Sequence, residues 1–215
     1  MESGNSFYEL FPDAKNFSQT KMDIFKSAIQ LFAKSGYSNT STNQIAKTAG
    51  ISEALIFRYF KNKKGILQAI IDPIANNILP DVLREFSREI LHRQTANLNQ
   101  FLNLVVNNRI KFFKANFPVI KIYISEILYD DSIRKQVLNA VPRDVYQDFN
   151  DEINYLKQNN AIIQWDNNQI FRFIFSNIFG YLVSHYVVFP NQEWNEKVEV
   201  SNLIDFLARG LDPVK

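Results

Sequence analysis

Between Thr20 and Lys34 the apolar residues Ile24, Phe25, Ala28, Ile29, Leu31, Phe32 and Ala33 return at three- and four-residue intervals, the spacing that lines one face of an α-helix. Gly36 follows, where a helix ends on a positive φ that glycine adopts without a Cβ clash. Ser41 stands three residues before Gln44, a capping-box spacing in which each side chain satisfies the other's backbone, so a short helix is predicted up to Gly50. Ile51 then reads as a buried plug. Ser52 is placed to cap a third helix, Glu53–Phe60, whose first-turn glutamate suits the positive end of the helix dipole. Two short helices around an Ala-Gly-Ile-Ser joint make a helix-turn-helix.

Helical spacing continues downstream. Asn62 is placed to cap a fourth helix starting at Lys63, and Pro73 and Pro80 must kink or divide it. Further helices are predicted over 96–116, 118–129, 132–159, 167–189 and 195–211, with Pro142 bending or splitting the third of these. Six glycines and seven prolines are sparse punctuation, and few windows alternate as strands do, so the fold class is all-α. Residues 1–18, with Phe7, Tyr8, Leu10, Phe11 and Phe17, form an amino-terminal arm or fold back as a short helix. A change of pattern near Gly65 separates a helix-turn-helix domain, 19–65, from a larger carboxy-terminal helical domain, 66–215.

Composition narrows the chemistry. The 215 residues include no cysteine, which excludes disulfides, thiolate zinc sites and cysteine nucleophiles and suits a reducing, cytoplasmic setting. The start lacks a signal-peptide pattern, and the most apolar stretch, 170–189, is interrupted by Arg172, Ser176, Asn177, Ser184 and His185, so no membrane association is expected. His92 and His185 are far apart in sequence, no phosphate-binding glycine loop occurs, and the Ser132–Lys135 SxxK match lacks its companion motifs. No catalytic residue, metal or cofactor is expected. The 24 basic against 22 acidic side chains look unpromising for nucleic acid, but residues 1–65 hold nine against five, including Arg58, Lys61, Lys63 and Lys64 in one run.

These residues resemble the amino-terminal DNA-binding domain of the tetracycline-repressor (TetR) family of bacterial transcription regulators. The resemblance is carried by 29–37, then Thr40-Ser41-Thr42, Ile45-Ala46, Ala49-Gly50-Ile51-Ser52, Ile56 to Phe60, and Lys63. It implies a homodimer through the last two helices, a palindromic double-stranded DNA operator, and a carboxy-terminal domain that binds a small-molecule effector.

Ile45, Ala46, Ala49, Ile51, Ile56 and Phe60 read as the motif's interior, and Thr42, Asn43, Lys47, Glu53, Ala54, Leu55, Arg58 and Tyr59 as its outward positions. With the third helix in the major groove, Ala54 and Leu55 offer apolar contact to thymine methyls, and Arg58 reads a guanine edge or grips phosphate. Hydroxyls of Thr40, Ser41 and Tyr59, together with Lys63, would position the duplex through phosphates. Three departures from the family pattern weaken such contacts: Glu53 stands where lysine is common, Phe57 where tyrosine is usual, and Tyr59 at a familiar histidine position.

Aromatic residues crowd the second half. The predicted effector wall is Asn107, Arg109, Phe112, Phe113, Tyr123, Glu126 and Ile127 from two central helices, with Tyr155, Phe175 and Asn177 as further candidates. Arg109 and Glu126 read as ordinary surface charges unless enclosed, where they would need each other or a polar ligand. His185 reads as a core or interface residue. The segment 167–189 is apolar on nearly all sides, so burial all round is expected, with the amphipathic last helix as its partner in a four-helix dimer interface or in a monomeric core. The function this implies is a ligand-responsive transcription regulator, a repressor released by a small apolar or aromatic molecule. An activator of the same family, or a ligand-binding protein whose helix-turn-helix no longer uses DNA, are the competing readings.

Overall fold

A computed structural model describes residues 10–213; residues 1–9 of the expected arm, with Phe7 and Tyr8, lie outside them. The described residues are helical throughout, with no strand among them. They divide into two compact units, one containing residues up to 81 together with 115–141, the other 82–114 together with 142–213. The unit that holds the helix-turn-helix thus extends past Gly65 and takes in a segment returning from later in the chain.

In the first unit α1 spans Gln19–Ser35, α2 Thr42–Ala49, α3 Glu53–Phe60 and α4 Lys63–Pro73. Each boundary has a local cause. Ser18 accepts from the Lys21 amide at 3.3 Å, and Gly36 closes α1 at φ 82°. The Ser41–Gln44 capping box is formed in both directions, and Gly50 is left-handed at φ 68°. Asn62 caps α4 through the Gly65 amide at 2.8 Å. Ser52 occupies the cap position of α3 but its side chain makes no capping bond, contrary to expectation. Five residues after Pro73, Ile74–Ile78, form a π-helical turn that leads into α5, Leu79–Ile90. Pro80 is the second residue of α5, at the join between the π turn and the α-helix.

The core of this unit is built on Ile24, Phe25, Ala28 and Phe32 of α1, met by Ile45, Ile56 and Ile66, all nearly or wholly inaccessible. Ala49 and Ile51, expected inside, are only partly buried. The leader is no free arm in its described part: Pro12–Asn16 is a 3₁₀ turn, and Phe11 packs edge-on against Phe25 at 4.9 Å. The returning helices follow α6, Leu98–Ala115; they are α7, Phe117–Tyr129, and α8, Asp131–Asn139. Val119, Ile122, Tyr123 and Ile133 join the same core.

In the second unit α5 ends in a 3₁₀ turn, Leu91–Arg93, and α6 is joined by α9, Arg143–Gln158, α10, Asn167–Val183, and α11, Glu196–Leu211; α10 contacts α11, and Lys114 of α6 pairs with Glu196 of α11. Pro142 splits the predicted 132–159 helix by serving as the cap residue of α9. Along α10 the buried residues are Ile170, Ile174, Ile178 and Leu182, a single stripe at four-residue spacing. Within a single chain the remaining sides of α10 are open. Phe171, Phe175 and Phe179 stack in succession at 5.8 and 5.5 Å on an exposed side of the helix. A π-helical turn, Ser184–Val188, ends α10.

Gly65 tests the junction at the start of α4. A Cβ placed there meets the Phe60 carbonyl oxygen at 2.0 Å, and backbone cannot swing aside as a side chain can. Gly65→Ala should therefore cost about 3 kcal/mol in chemical denaturation, far beyond the few tenths of a solvent-exposed substitution.

Candidate nucleic-acid interface

The outward side of α3 is formed by Ala54, Phe57 and Arg58, all exposed and separated by three and four residues, so they share one face of the helix. Phe57 is 50% exposed, a large ring left to water on a helix whose opposite side holds the inaccessible Ile56 and the buried Phe60. Leu55 is half-buried beside this face. Asn43 and Lys47 add exposed polar groups from α2, and Lys61 and Lys64 add exposed cations just beyond α3. An apolar centre with cations at its edge offers contact to thymine methyls and attraction to phosphate together.

Several predicted contacts have other work. Thr40 is buried, and its hydroxyl donates to the Gly36 carbonyl at 2.9 Å; it is corrected from phosphate contact to loop anchor. Lys63 also anchors this loop. Its ammonium donates to the Tyr37 and Thr40 carbonyls at 2.8 and 2.7 Å, with Ser38 at 3.5 Å, and lies 4.3 Å from the centre of the Tyr37 ring. This cation ties the start of α4 to the α1–α2 loop and so holds the motif together. Ser41 is exposed but engaged in the capping box. Tyr59 accepts from the Ser18 hydroxyl at 3.3 Å, which places its phenol beside the start of α1. Glu53 accepts from the Thr42 hydroxyl at 2.5 Å. The acidic departure from the family pattern therefore braces α2 against α3.

The predicted effector wall divides between the two units. Tyr123, Glu126 and Ile127 belong to α7 in the first, whereas Asn107, Arg109, Phe112, Phe113, Phe175 and Asn177 belong to the second. Glu126 is buried, and burial pushes its carboxyl above the ordinary range, opposed by a Ser125 hydroxyl bond and the charge of Lys63. Tyr123 donates its hydroxyl to the Ile71 carbonyl, and burial together with Asp72 pushes its phenol up. Neither behaves as an ordinary surface group.

In the second unit, burial lowers the Arg109 guanidinium to about 10, with Glu89 opposing the shift. It lies 4.2 Å from the centre of the Phe86 ring and 5.3 Å from that of Phe112, so it is enclosed by its own helix and α5. Phe113 is buried against Tyr186 at 5.4 Å. Phe175 is exposed in the stacked ladder, and Asn177 donates to the Phe173 carbonyl of its own helix at 2.8 Å. Only Asn107 of the predicted wall lines the described cavity, a half-open groove of 580 Å³ between α6 and α11 whose other walls include Asn103, Ile110, Glu196, Val200 and Ser201. Among the described residues no group of acidic and histidine side chains is arranged to hold a metal, and no helix is long and apolar enough to cross a membrane.

Comparison with known proteins agrees with this geometry. Residues 24–70 match the family described as bacterial regulatory proteins, tetR family. Over 84 residues the chain is 38% identical to an uncharacterized HTH-type transcriptional regulator, YvkB, of Bacillus subtilis, covering 38% of this chain and 44% of that one. Over 120 residues it is 41% identical to the fatty acid metabolism regulator protein of the same species, covering 56% of this chain and 59% of that one. The chain thus spans about half the length of these curated relatives. Among solved structures, a transcriptional regulator FadR from Bacillus subtilis in complex with stearoyl-CoA superposes with a TM-score of 0.59 at 19% identity, over 88% of this chain and 98% of that one, a likeness of fold.

The raised Glu126 carboxyl has a signed consequence. A carboxyl whose folded value lies above its unfolded one withdraws stability as pH rises from the unfolded value through the folded one. Glu126→Gln should melt higher than the parent at pH 7.5 by thermal denaturation, and the gap should close below about pH 4, where the parent is protonated in both states.

Proposed function

Residues 24–70 belong to the tetR family of bacterial regulatory proteins, and from that premise we propose that this chain is a dimeric, ligand-responsive repressor that binds a palindromic DNA operator. The observation that carries the reading is the exposed face of α3, where Ala54, Phe57 and Arg58 stand outward on a helix braced from behind by the Lys63 and Glu53 bonds. Ala54, Leu55 and Phe57 supply apolar contact in the major groove. Arg58 supplies the base edge or phosphate contact. Asn43, Ser41 and Thr42 at the start of α2, with the Tyr59 phenol of α3 beside the start of α1, face the backbone, and Lys61 and Lys64 add charge. Thr40, Glu53 and Lys63 act from behind by holding the motif's shape.

Dimerisation is proposed through α10 and α11. The exposed side of α10 carries Phe171, Phe175 and Phe179, and α11 exposes Val198 at 50% and Phe206 at 64%. Apolar side chains in that number on two adjoining helices are covered in solution by a matching face, and a second copy supplies one by symmetry. For the effector we favour an apolar molecule entering the second unit. The abundance of aromatic side chains there supports it, and so does the acyl chain of the stearoyl-CoA held by the similarly folded regulator. A molecule that binds better to the DNA-incompetent arrangement of the dimer would shift its population and release the operator.

Two experiments test these assignments. Arg58→Ala should raise the protein concentration for half-maximal retardation of the operator about tenfold and flatten the salt dependence by about one unit of slope, with the melting temperature unchanged. A ligand binder with an idle helix-turn-helix would show no retardation in either protein. For the assembly, sedimentation should give twice the chain mass for the parent and a single chain mass for Phe175→Asp, because a carboxylate cannot be buried unpaired in the interface. A parent that sediments as one chain in dilute solution would remove the dimer and with it the two-half-site mode.

A further inference from the structure

The outer side of α3 is short of hydrogen-bonding groups. Three residues of this helix are exposed, Ala54, Phe57 and Arg58, and only the last has a polar side chain. The other polar side chains of α3 are engaged: Glu53 accepts from the Thr42 hydroxyl at 2.5 Å, and the Tyr59 phenol accepts from Ser18 at 3.3 Å. Ile56 and Phe60 are inside. Phe57 therefore stands on the outer face with half of its surface in water and no hydroxyl to give to phosphate. Ala54 lies one turn before it, and Leu55 is half-buried beside this face.

In the major groove a base pair presents donors, acceptors and, on thymine, a 5-methyl group. A phenyl ring answers only the last of these. Against an unmethylated edge it meets donors and acceptors that it cannot pair, which costs free energy, whereas against a methyl group it removes apolar surface from water. The ring has no means of telling which pyrimidine carries the methyl. Thymine and 5-methylcytosine bear it at the same ring position, and uracil and cytosine lack it while keeping the hydrogen-bonding groups of their methylated counterparts. Burying one methyl group is worth about fourfold in affinity, a difference that gel retardation resolves.

We propose that Phe57 is the specificity-determining residue of α3 and that it reads the pyrimidine 5-methyl group itself, whichever base carries it. The operator half-site then has thymine or 5-methylcytosine opposite this ring, and Arg58, the next residue, sets the register on a neighbouring guanine or phosphate. Methylation of a cytosine at that position strengthens the site with no change in the protein, so operator strength responds to the modification state of the DNA. The inference rests on the regulator reading above and goes beyond it by naming the group that is read.

Selection from a randomised duplex pool by gel retardation with the full-length protein supplies a half-site for the test. Duplexes of that sequence are then made with thymine or uracil opposite adenine, and with 5-methylcytosine or cytosine opposite guanine, at each pyrimidine position in turn. Where Phe57 lies, the methylated member of each pair should bind about fourfold tighter, by the same factor in both pairs. The salt slope should not differ between the members, since no phosphate contact changes. In Phe57→Ala both preferences should vanish, whereas Arg58→Ala should weaken binding to all four duplexes and keep both preferences. The inference is overturned if uracil is bound as well as thymine at every position, if the cytosine methyl is neutral or harmful where the thymine methyl helps, or if the preferences survive in Phe57→Ala. A parent protein that retards nothing in the pool overturns the regulator reading and this inference together. Retardation that is indifferent to the methyl groups overturns this inference alone.

Discussion

The geometry of the helix-turn-helix unit depends on one ammonium group. Lys63, the first residue of α4, donates to carbonyls of the loop between α1 and α2 and sits over the Tyr37 ring. Loop carbonyls that face inward need a donor, because an unpaired buried polar group costs about 1–3 kcal/mol. One lysine meets that need for two close oxygens and, by doing so, fixes the loop to α4. Thr40 completes the anchor from inside the loop. From there the constraint passes to α2 through the capping box at Ser41 and Gln44, and from α2 to α3 through Thr42 and Glu53. The outer face of α3, with exposed Phe57 and Arg58, is the end of that chain of fixed parts.

Features with local causes were legible in the sequence. The Ser41–Gln44 spacing, the positive φ at Gly36 and Gly50, the Asn62 cap and the split at Pro142 each depend on a few neighbouring residues, and each is present. Features that depend on a distant partner were not legible. Nothing local distinguishes Lys63 from Lys61 or Lys64, since its role comes from carbonyls some 25 residues earlier. Tyr123 and Glu126 share helical spacing with many wall-like residues, and only the return of α7 to the first unit shows that they face α4 and Lys63. Pairing of Glu53 with Thr42 could be suspected from their positions at two helix starts, but not its distance.

The second unit shows what counting apolar residues leaves open. α10 is apolar nearly all round, and within one chain it divides into a buried aliphatic stripe and an exposed aromatic one. Chemistry separates the two: Ile170, Ile174, Ile178 and Leu182 interdigitate in the core, while flat rings stack with one another at the surface. An exposed stripe of that kind is intelligible as a surface awaiting its second copy. Fold, motif and exposed faces thus support the proposed regulator, in which one unit would read DNA and the other would assemble and sense.

The most direct test is hydroxyl-radical footprinting of the full-length protein on DNA from its own genomic neighbourhood. Two protected patches on one face of the duplex, one helical turn or a multiple apart, are the result expected of a dimer that presents two copies of α3 to successive major grooves. Protection of a single isolated patch would contradict the paired arrangement, and no protection of any fragment at low salt would contradict DNA reading by α3 altogether.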